Sequence, residues 1–382
     1  MNSPSESAWA EIDLGAVAHN VRELKQITSP GAAFMAVVKA DAYGHGAVEV
    51  AKAALAGGAD RLGVARIDEA VQLRQAGLNA PILIFGDTPP KRASELIRWN
   101  LTQTVYRPDT AETLSNCAEA AGKPISIHLK IDTGMGRLGM LFISPDRDGT
   151  DTVETIEKIR RLPGLNVEGI FTHFAAADSI DKTYSRLQFE RFTNLLDRLR
   201  RRRIDFPVRH CANSAGIIDL PETHLDMVRG GIAMYGLSPS DEVNVRKISL
   251  KPAMSLKSRI IHLKQVPAGF RVSYGMTHET SAPTTIATVS IGYADGLNRL
   301  LSSRGCMLVR GRRAPIVGRV CMDLTMLDVG HIPEVCMGDE AVVFGRQCKE
   351  MIHVDDIAAL LNTISYEVVA TITRRVPRLY GS

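Results

Sequence analysis

One alternation narrows the fold more than any other feature of the chain. From about Asp13 to Gly236, eight short apolar runs, "AFMAVVKA", "RLGVARI", "PILIFGD", "QTVY", "ISIHLKID", "LNVEGIFTHF", "VRHCANS" and "MVRGGIAMYG", are separated by longer stretches of helical period. The intervening segments include "LGAVAHNVRELKQI", "DEAVQLRQAG" and "SRLQFERFTNLLDRLR", whose apolar residues recur at three and four positions. Continuously apolar strands separated by helices specify a parallel sheet covered by those helices. Eight such units in about 230 residues match a closed (β/α)8 barrel, whose usual size is near 250. An open doubly wound sheet is the main competitor, but no G-x-G-x-x-G follows the first run.

After about Ser238 the texture changes. "LKSRIIHLKQV", "TTIATVSIGYADG", "CMLVRGRRAPIVGRVCMDLTMLDVG" and "EAVVFGR" are strand runs punctuated by Gly and Pro, followed by a helix candidate, "VDDIAALLN". A chain of 382 residues also exceeds what one ordinary core supports. The expected organisation is an α/β protein: an N-terminal strand within residues 1–12 joining the C-terminal domain, a TIM-type barrel over 13–238, and a mainly β domain over 239–382.

Several function classes lose support from the bulk properties. A net charge of +4 gives no general argument for nucleic acid, and the one basic cluster, "RLRRRR" from Arg198 to Arg203, ends a helical stretch where cations complement the dipole. The six cysteines never form a C-x-x-C pair, so a zinc ribbon or disulfide scaffold is a poor reading and reduced thiols are the simplest account. The N-terminus "MNSPSESAWAEIDLG" lacks a basic start and an apolar core, and no apolar run approaches the ~20 residues that span a bilayer. No membrane association and a cytoplasmic location are therefore expected.

In such a barrel the active site lies at the C-terminal ends of the strands. The first run ends in Lys39, within "AVVKADAYGHG", with Tyr43 just beyond. The fifth enters "KIDTGMGRLG", offering Lys130, Asp132 and Arg137, and the sixth ends in His173. The seventh carries Asn213 and Ser214, and the eighth carries Arg229, Gly230, Gly231 and Ile232. Ser214 and the paired glycines occupy the place where such barrels commonly bind phosphate. A phosphate held next to a reachable lysine suggests a phosphorylated aldehyde, and pyridoxal 5'-phosphate, joined to lysine as a Schiff base, fits.

These segments, with "THFAAAD", "VSYGMTHET", "IGYADGLNR", "VGRVCMDLTMLDV" and "ISYEV", resemble the alanine racemase family in order and across nearly the whole chain. The resemblance implies a pyridoxal phosphate barrel, a C-terminal β domain, a homodimer with shared active sites, and interconversion of L- and D-alanine that supplies D-alanine for bacterial peptidoglycan. Lys39 resembles the Schiff-base lysine and the base serving D-alanine. Tyr274 resembles the base serving L-alanine, reaching in from the partner subunit. A free phenol ionises near pKa 10, and the resemblance makes His173 and Arg137 the neighbours whose positive charge would favour the phenolate.

Arg229 resembles the arginine facing the pyridine nitrogen. Tyr43, Ser214, Gly231, Ile232 and Tyr366 resemble the phosphate cradle, with His173 and Asn213 also at the cofactor. Arg137 resembles the holder of the substrate carboxylate, and Lys130 a lysine that is carbamylated in many members. Met322 and Asp323 resemble substrate-site residues from the second subunit, and Tyr293 a tyrosine narrowing the entry. The rivals are a same-fold decarboxylase of basic amino acids, which needs a carboxylate where Arg229 stands, and a non-catalytic pyridoxal phosphate carrier, which has no use for Tyr274. A metal-dependent hydrolase lacks an H-x-H or H-E-x-x-H pattern.

Overall fold

The computed structural model describes residues 6–144 and 149–381. The chain divides into two compact units, one formed by Val17–Ala42 with Ala47–Lys251, the other by the residues up to Ala16, Tyr43–Gly46 and the chain from Pro252 onward. The first strand in the chain, β1 (Ala8–Asp13), belongs to the second of these.

The first unit contains β2 (Ala33–Val37), β3 (Arg61–Val64), β4 (Ile82–Ile84), β5 (Thr102–Val105), β6 (Ile125–Asp132), the two-residue β7 (Met140–Leu141), β8 (Leu165–Phe171), β9 (Val208–His210) and β10 (Met227–Gly230). With β7 set aside beside β6, eight parallel strands follow one another in the order β10-β2-β3-β4-β5-β6-β8-β9. The seam between β9 and β10 is bridged by backbone bonds from Asp226 N to Arg209 O and from Arg229 N to Ala212 O, each 3.1 Å. The barrel expected from the alternation is therefore the one found.

Burial explains why the strand runs read as continuous. Every residue of β4 and β5 is buried, as both faces of a helix-covered parallel sheet must be. Even the polar β5 complies, because Gln103 donates to Gly86 O at 2.7 Å and accepts from Thr88. Met35, Leu83 and Met227 form a buried cluster from β2, β4 and β10. At Gly230 a side chain is excluded, since a Cβ there would stand 2.2 Å from the Phe34 ring.

In the β-rich unit, β11 (Met254–Val266) is the organising strand. It is followed by β12 (Arg271–Val272), β13 (His278–Glu279), β14 (Thr284–Val289), β15 (Cys306–Val309), β16 (Arg312–Pro315), β17 (Thr325–Asp328), β18 (Glu340–Gln347), β19 (Glu350–Ile352) and β20 (Arg378–Gly381). The main sheet runs β16-β15-β18-β11-β1-β20. Strand β1 pairs antiparallel with β11, Ala8 opposite Ser258, and parallel with β20, Ala10 opposite Arg378. Its Trp9 is fully buried.

Candidate active site

Beyond β2 the chain does something that local preference opposes. Ala40, Asp41, Ala42 and Tyr43 all lie in the left-handed region, with φ of 52°, 52°, 53° and 53°. Each costs roughly 1–2 kcal/mol relative to a right-handed turn, so surrounding bonds must hold the turn. Ala42 N donates to Val38 O at 3.0 Å, Ala47 N to Asp41 Oδ1 at 2.8 Å, and Ala40 N to Glu69 Oε1 at 2.6 Å. The other oxygen of Glu69 accepts from Ala65 N at 2.7 Å and Arg66 N at 3.0 Å, so one carboxylate ties the ends of β2 and β3 together. Lys39 leads this turn. Burial lowers its amine pKa, the positive charge of Arg137 lowers it further, and Glu69 opposes the shift.

The end of β6 is built around Asp132. Its Oδ1 accepts from the backbone of Gly134 (2.9 Å), Met135 (2.8 Å) and Gly136 (3.2 Å), and its Oδ2 from Arg137 N (3.2 Å), which winds the loop that carries Arg137. The helix Thr183–Arg201 clamps that loop from outside: Tyr184 Oη donates to Gly134 O and Arg191 Nη1 to Thr133 O, both at 2.8 Å. Between them, buried Gln188 donates to His173 O at 3.1 Å and accepts from Ala175 N at 2.8 Å. Lys130 is buried with its Nζ 4.4 Å from the centre of the Phe171 ring, and burial, then Arg229 and Arg137, hold its pKa well below the usual lysine value.

Arg229, on β10, is buried at the centre of this group. Its Nη1 donates to His210 Nδ1 at 2.8 Å, and its Nη2 to His173 Nδ1 (3.1 Å), Thr172 O (3.1 Å) and Cys211 O (2.8 Å). Burial lowers its pKa to about 10, which leaves it charged at neutral pH. Because guanidinium has no acceptor, His173 must present a lone pair at Nδ1 and carry its proton on Nε2. Burial, followed by the charge of Arg229, pushes His173 well below the usual imidazole value. A second buried cation beside Arg229 is costly, so burial and Arg229 favour a neutral His173 that donates from Nε2 over the positive charge expected from the sequence.

At the phosphate position, Ser214 Oγ accepts from Gly231 N at 2.8 Å and Ala233 N at 3.3 Å. Ile232 begins the 3-10 turn that follows. Asn213 caps the short helix Ser214–Asp219, its side-chain oxygen accepting from Gly216 N at 3.0 Å. The charges of Arg229, Lys130, Arg137 and Lys39 all act on His173, and that of Arg137 acts on both Lys39 and Lys130.

The remaining candidates lie in the β-rich unit. The rings of Tyr43 and Tyr366 are 6.1 Å apart. Tyr293 N donates to Cys321 O and Ala294 N to Met322 O, each at 3.0 Å, while Asp323 pairs with Arg375 at 2.7 Å. Tyr274 follows Ser273, whose φ of 67° is strained for a residue with a side chain, and Ser273 Oγ donates to Arg319 O at 2.7 Å. Tyr274 is 73% exposed and Met322 53% exposed.

Sequence reasoning missed Glu69, Gln188, His128 and His210. A signal existed for two of them. Glu69 is the third residue of the helix Ile67–Gln75, the position from which an acid reaches back to backbone N–H groups. Gln188 shares the buried face of its helix with Phe192, Leu195 and Leu199, and a polar residue on an apolar stripe calls for a partner.

The sequence matches the family model for the alanine racemase N-terminal domain over residues 12–239 and that for the C-terminal domain over 253–380. It is 58% identical to an alanine racemase of Desulfosudis oleivorans over 98% of this chain and 96% of that protein. Among solved structures, an alanine racemase of Clostridium difficile superposes with a TM-score of 0.93 at 39% identity, over 99% of this chain and 97% of that one. One from Bacillus anthracis with bound L-Ala-P gives 0.92 at 38% identity, over 100% and 96%. The chain belongs to the alanine racemase family of amino acid racemases.

Proposed function

We propose that this racemase interconverts L- and D-alanine with pyridoxal 5'-phosphate, as a homodimer whose active sites are shared, and supplies D-alanine for peptidoglycan in the cytoplasm. The donor set fits that cofactor. Burial and Arg137 lower the pKa of the Lys39 amine, which favours the unprotonated form in which a lysine attacks an aldehyde. Ser214, whose hydroxyl accepts from Gly231 N and keeps its own hydrogen to donate, and the backbone N–H of Ile232 offer partners for a phosphate, and by family resemblance the hydroxyls of Tyr43 and Tyr366 are further ones. When bound, the cofactor supplies an electron sink that lets the α-C–H bond of an amino acid ionise.

The chain's own residues then divide the work. Lys39 Nζ takes or returns the α-proton on one face, and the phenol of Tyr274 from the partner subunit does so on the other. The exposure of Tyr274 on a strained loop supports this reading, because a base meant for a neighbour's site must project. His173, neutral with its proton on Nε2, stabilises a phenolate by donating to it. Arg137, held by the Asp132 loop, grips the substrate carboxylate. Arg229 donates without accepting, so it discourages a proton on the ring nitrogen and disfavours decarboxylation chemistry. Met322 and Asp323 from the partner subunit contribute to the substrate site, and Tyr293 narrows its entry in favour of a small side chain.

Lys130 completes the set. An unprotonated amine adds carbon dioxide and releases a proton, and the carbamate's negative charge would balance Arg137 and Arg229. Among the described residues, no helix is long and apolar enough to cross a membrane.

The observation that carries the proposal is the convergence on His173 of the buried Arg229, 3.1 Å from its Nδ1, and the charge of Lys39. Borohydride reduction, digestion and mass analysis should find the cofactor on the Lys39 peptide, and an adduct elsewhere would refute it. L-Alanine in heavy water should yield D-alanine deuterated at the α-carbon, whereas release of carbon dioxide would point to a decarboxylase.

A further inference from the structure

The bond from Arg229 to His210 is the first link of a longer buried line. His210 Nε2 lies 2.9 Å from His128 Nδ1. His128 Nε2 faces Glu168 Oε2 across 3.7 Å, and Glu168 Oε1 is paired with Arg61 Nη2 at 2.5 Å. The five residues come from β10, β9, β6, β8 and β3 in turn. His128 Nε2 has no hydrogen-bond partner within ordinary range, so the Glu168 carboxylate is the group it addresses. Gly169 makes room for the His128 ring, since a Cβ there would stand 2.6 Å from both Nδ1 and Cε1.

The two hydrogen bonds that lead to His128, Arg229 to His210 and His210 to His128, have forced directions, and the last step to Glu168 is an electrostatic one across 3.7 Å. A guanidinium only donates, so His210 Nδ1 is a lone pair and its proton sits on Nε2. That N–H meets His128 Nδ1, which must accept, and the His128 proton is left on Nε2, facing a carboxylate. Burial keeps both imidazoles neutral. His128, then Arg61, hold the Glu168 carboxyl down at about 2, so it is an acceptor at neutral pH. A proton moved to the other nitrogen of either ring would set N–H against N–H.

We infer that His210, His128 and Glu168 are positioning residues for the reaction: a one-way relay from Arg229 to an anchored carboxylate fixes how Arg229 directs its donors, with Arg61 holding the far end. The inference rests on the function proposed above in taking Arg229 to face the cofactor ring. The hydrogen-bond directions do not depend on it.

NMR of the holoenzyme labelled with 15N-histidine reads the tautomers, with His128→Gln and His210→Gln samples used to assign the signals. Both rings should be neutral with the proton on Nε2, and a proton on Nδ1 of either overturns the relay. Glu168→Gln removes the terminal charge while keeping its size. It should shift the visible absorption of the bound cofactor and lower kcat roughly ten- to a hundredfold, the scale of a small misplacement at a reacting centre. The KM for alanine should stay within about twofold, because the change touches no substrate group. An unmoved absorption band, or an effect confined to KM or to melting temperature, overturns the positioning role. Absence of a Lys39 adduct would instead refute the function while leaving the tautomers as found, so the two failures are told apart.

Discussion

Glu69 accepts the backbone N–H of Ala40 at 2.6 Å, one residue past the lysine proposed to hold the cofactor. The same carboxylate receives two N–H groups from the next strand end. Removing it as Glu69→Ala releases three charge-assisted bonds, one to the left-handed turn and two to the end of β3. Hydrogen bonds to charged groups contribute about 1.5–3 kcal/mol. Because Glu69 is partly exposed, a loss near about 1.5 kcal/mol is expected, measured as a lower denaturant midpoint with unchanged slope. A loss below about 0.5 kcal/mol, the range of neutral surface changes, would show that the turn holds itself.

Gln188→Leu is expected to be more damaging than its distance from the chemistry suggests. The leucine fits an apolar helix face but leaves His173 O and Ala175 N without a buried partner, at about 1–3 kcal/mol each. Stability should fall by about 2–6 kcal/mol on that basis, with kcat falling as His173 shifts. Equilibrium unfolding and steady-state kinetics check the two effects separately.

Acid should destabilise the barrel before it protonates carboxylates. His128, His173 and His210 are each held below the ordinary imidazole pKa, chiefly by burial. Between the folded value and about 6.5 the unfolded chain binds more protons, so stability rises with pH across that window and is lost as pH falls below about 6.5. Each histidine contributes a slope of up to about 1.4 kcal/mol per pH unit. Glu168, held at about 2, adds its own loss only below about 4.5. Denaturant midpoints measured across this range should decline steadily below about 6.5, and a flat response down to about 4.5 would contradict the neutral assignment.

Tyr274→Phe should lower racemisation by about a hundredfold or more, the usual worth of a positioned proton carrier, yet leave melting temperature nearly unchanged, because phenylalanine keeps the ring and loses only the hydroxyl. Co-expression of the Tyr274→Phe chain with a Lys39→Ala chain tests the shared site directly. In a mixed dimer one site keeps both groups, so activity should return when two inactive chains are combined. Continued inactivity in verified mixed dimers would refute the sharing.

What the sequence disclosed, and what it withheld, follows from the range of the forces involved. Strands such as "AFMAV" and "ILI" were legible because two-sided burial writes an unbroken apolar run. Lys39, Arg137 and Arg229 were legible through short motifs at strand ends. The left-handed turn was not, because "ADAY" contains no glycine and one of the bonds that hold it comes from Glu69, 29 residues away from Ala40. The relay was hidden for a similar reason. His128 and His210 are 82 residues apart, and only the closure of the barrel sets one ring against the other.

The mirror-image turn from Ala40 to Tyr43 has one more implication, and it concerns time. A short peptide with this sequence would coil the opposite way, so a nascent chain that has emerged only as far as Gly46 carries the reactive amine without an aim. Orientation arrives when the helix bearing Glu69 docks. The amine of Lys39 is thus expected to acquire its bearing only after the strand and helix that follow it in the barrel are in place.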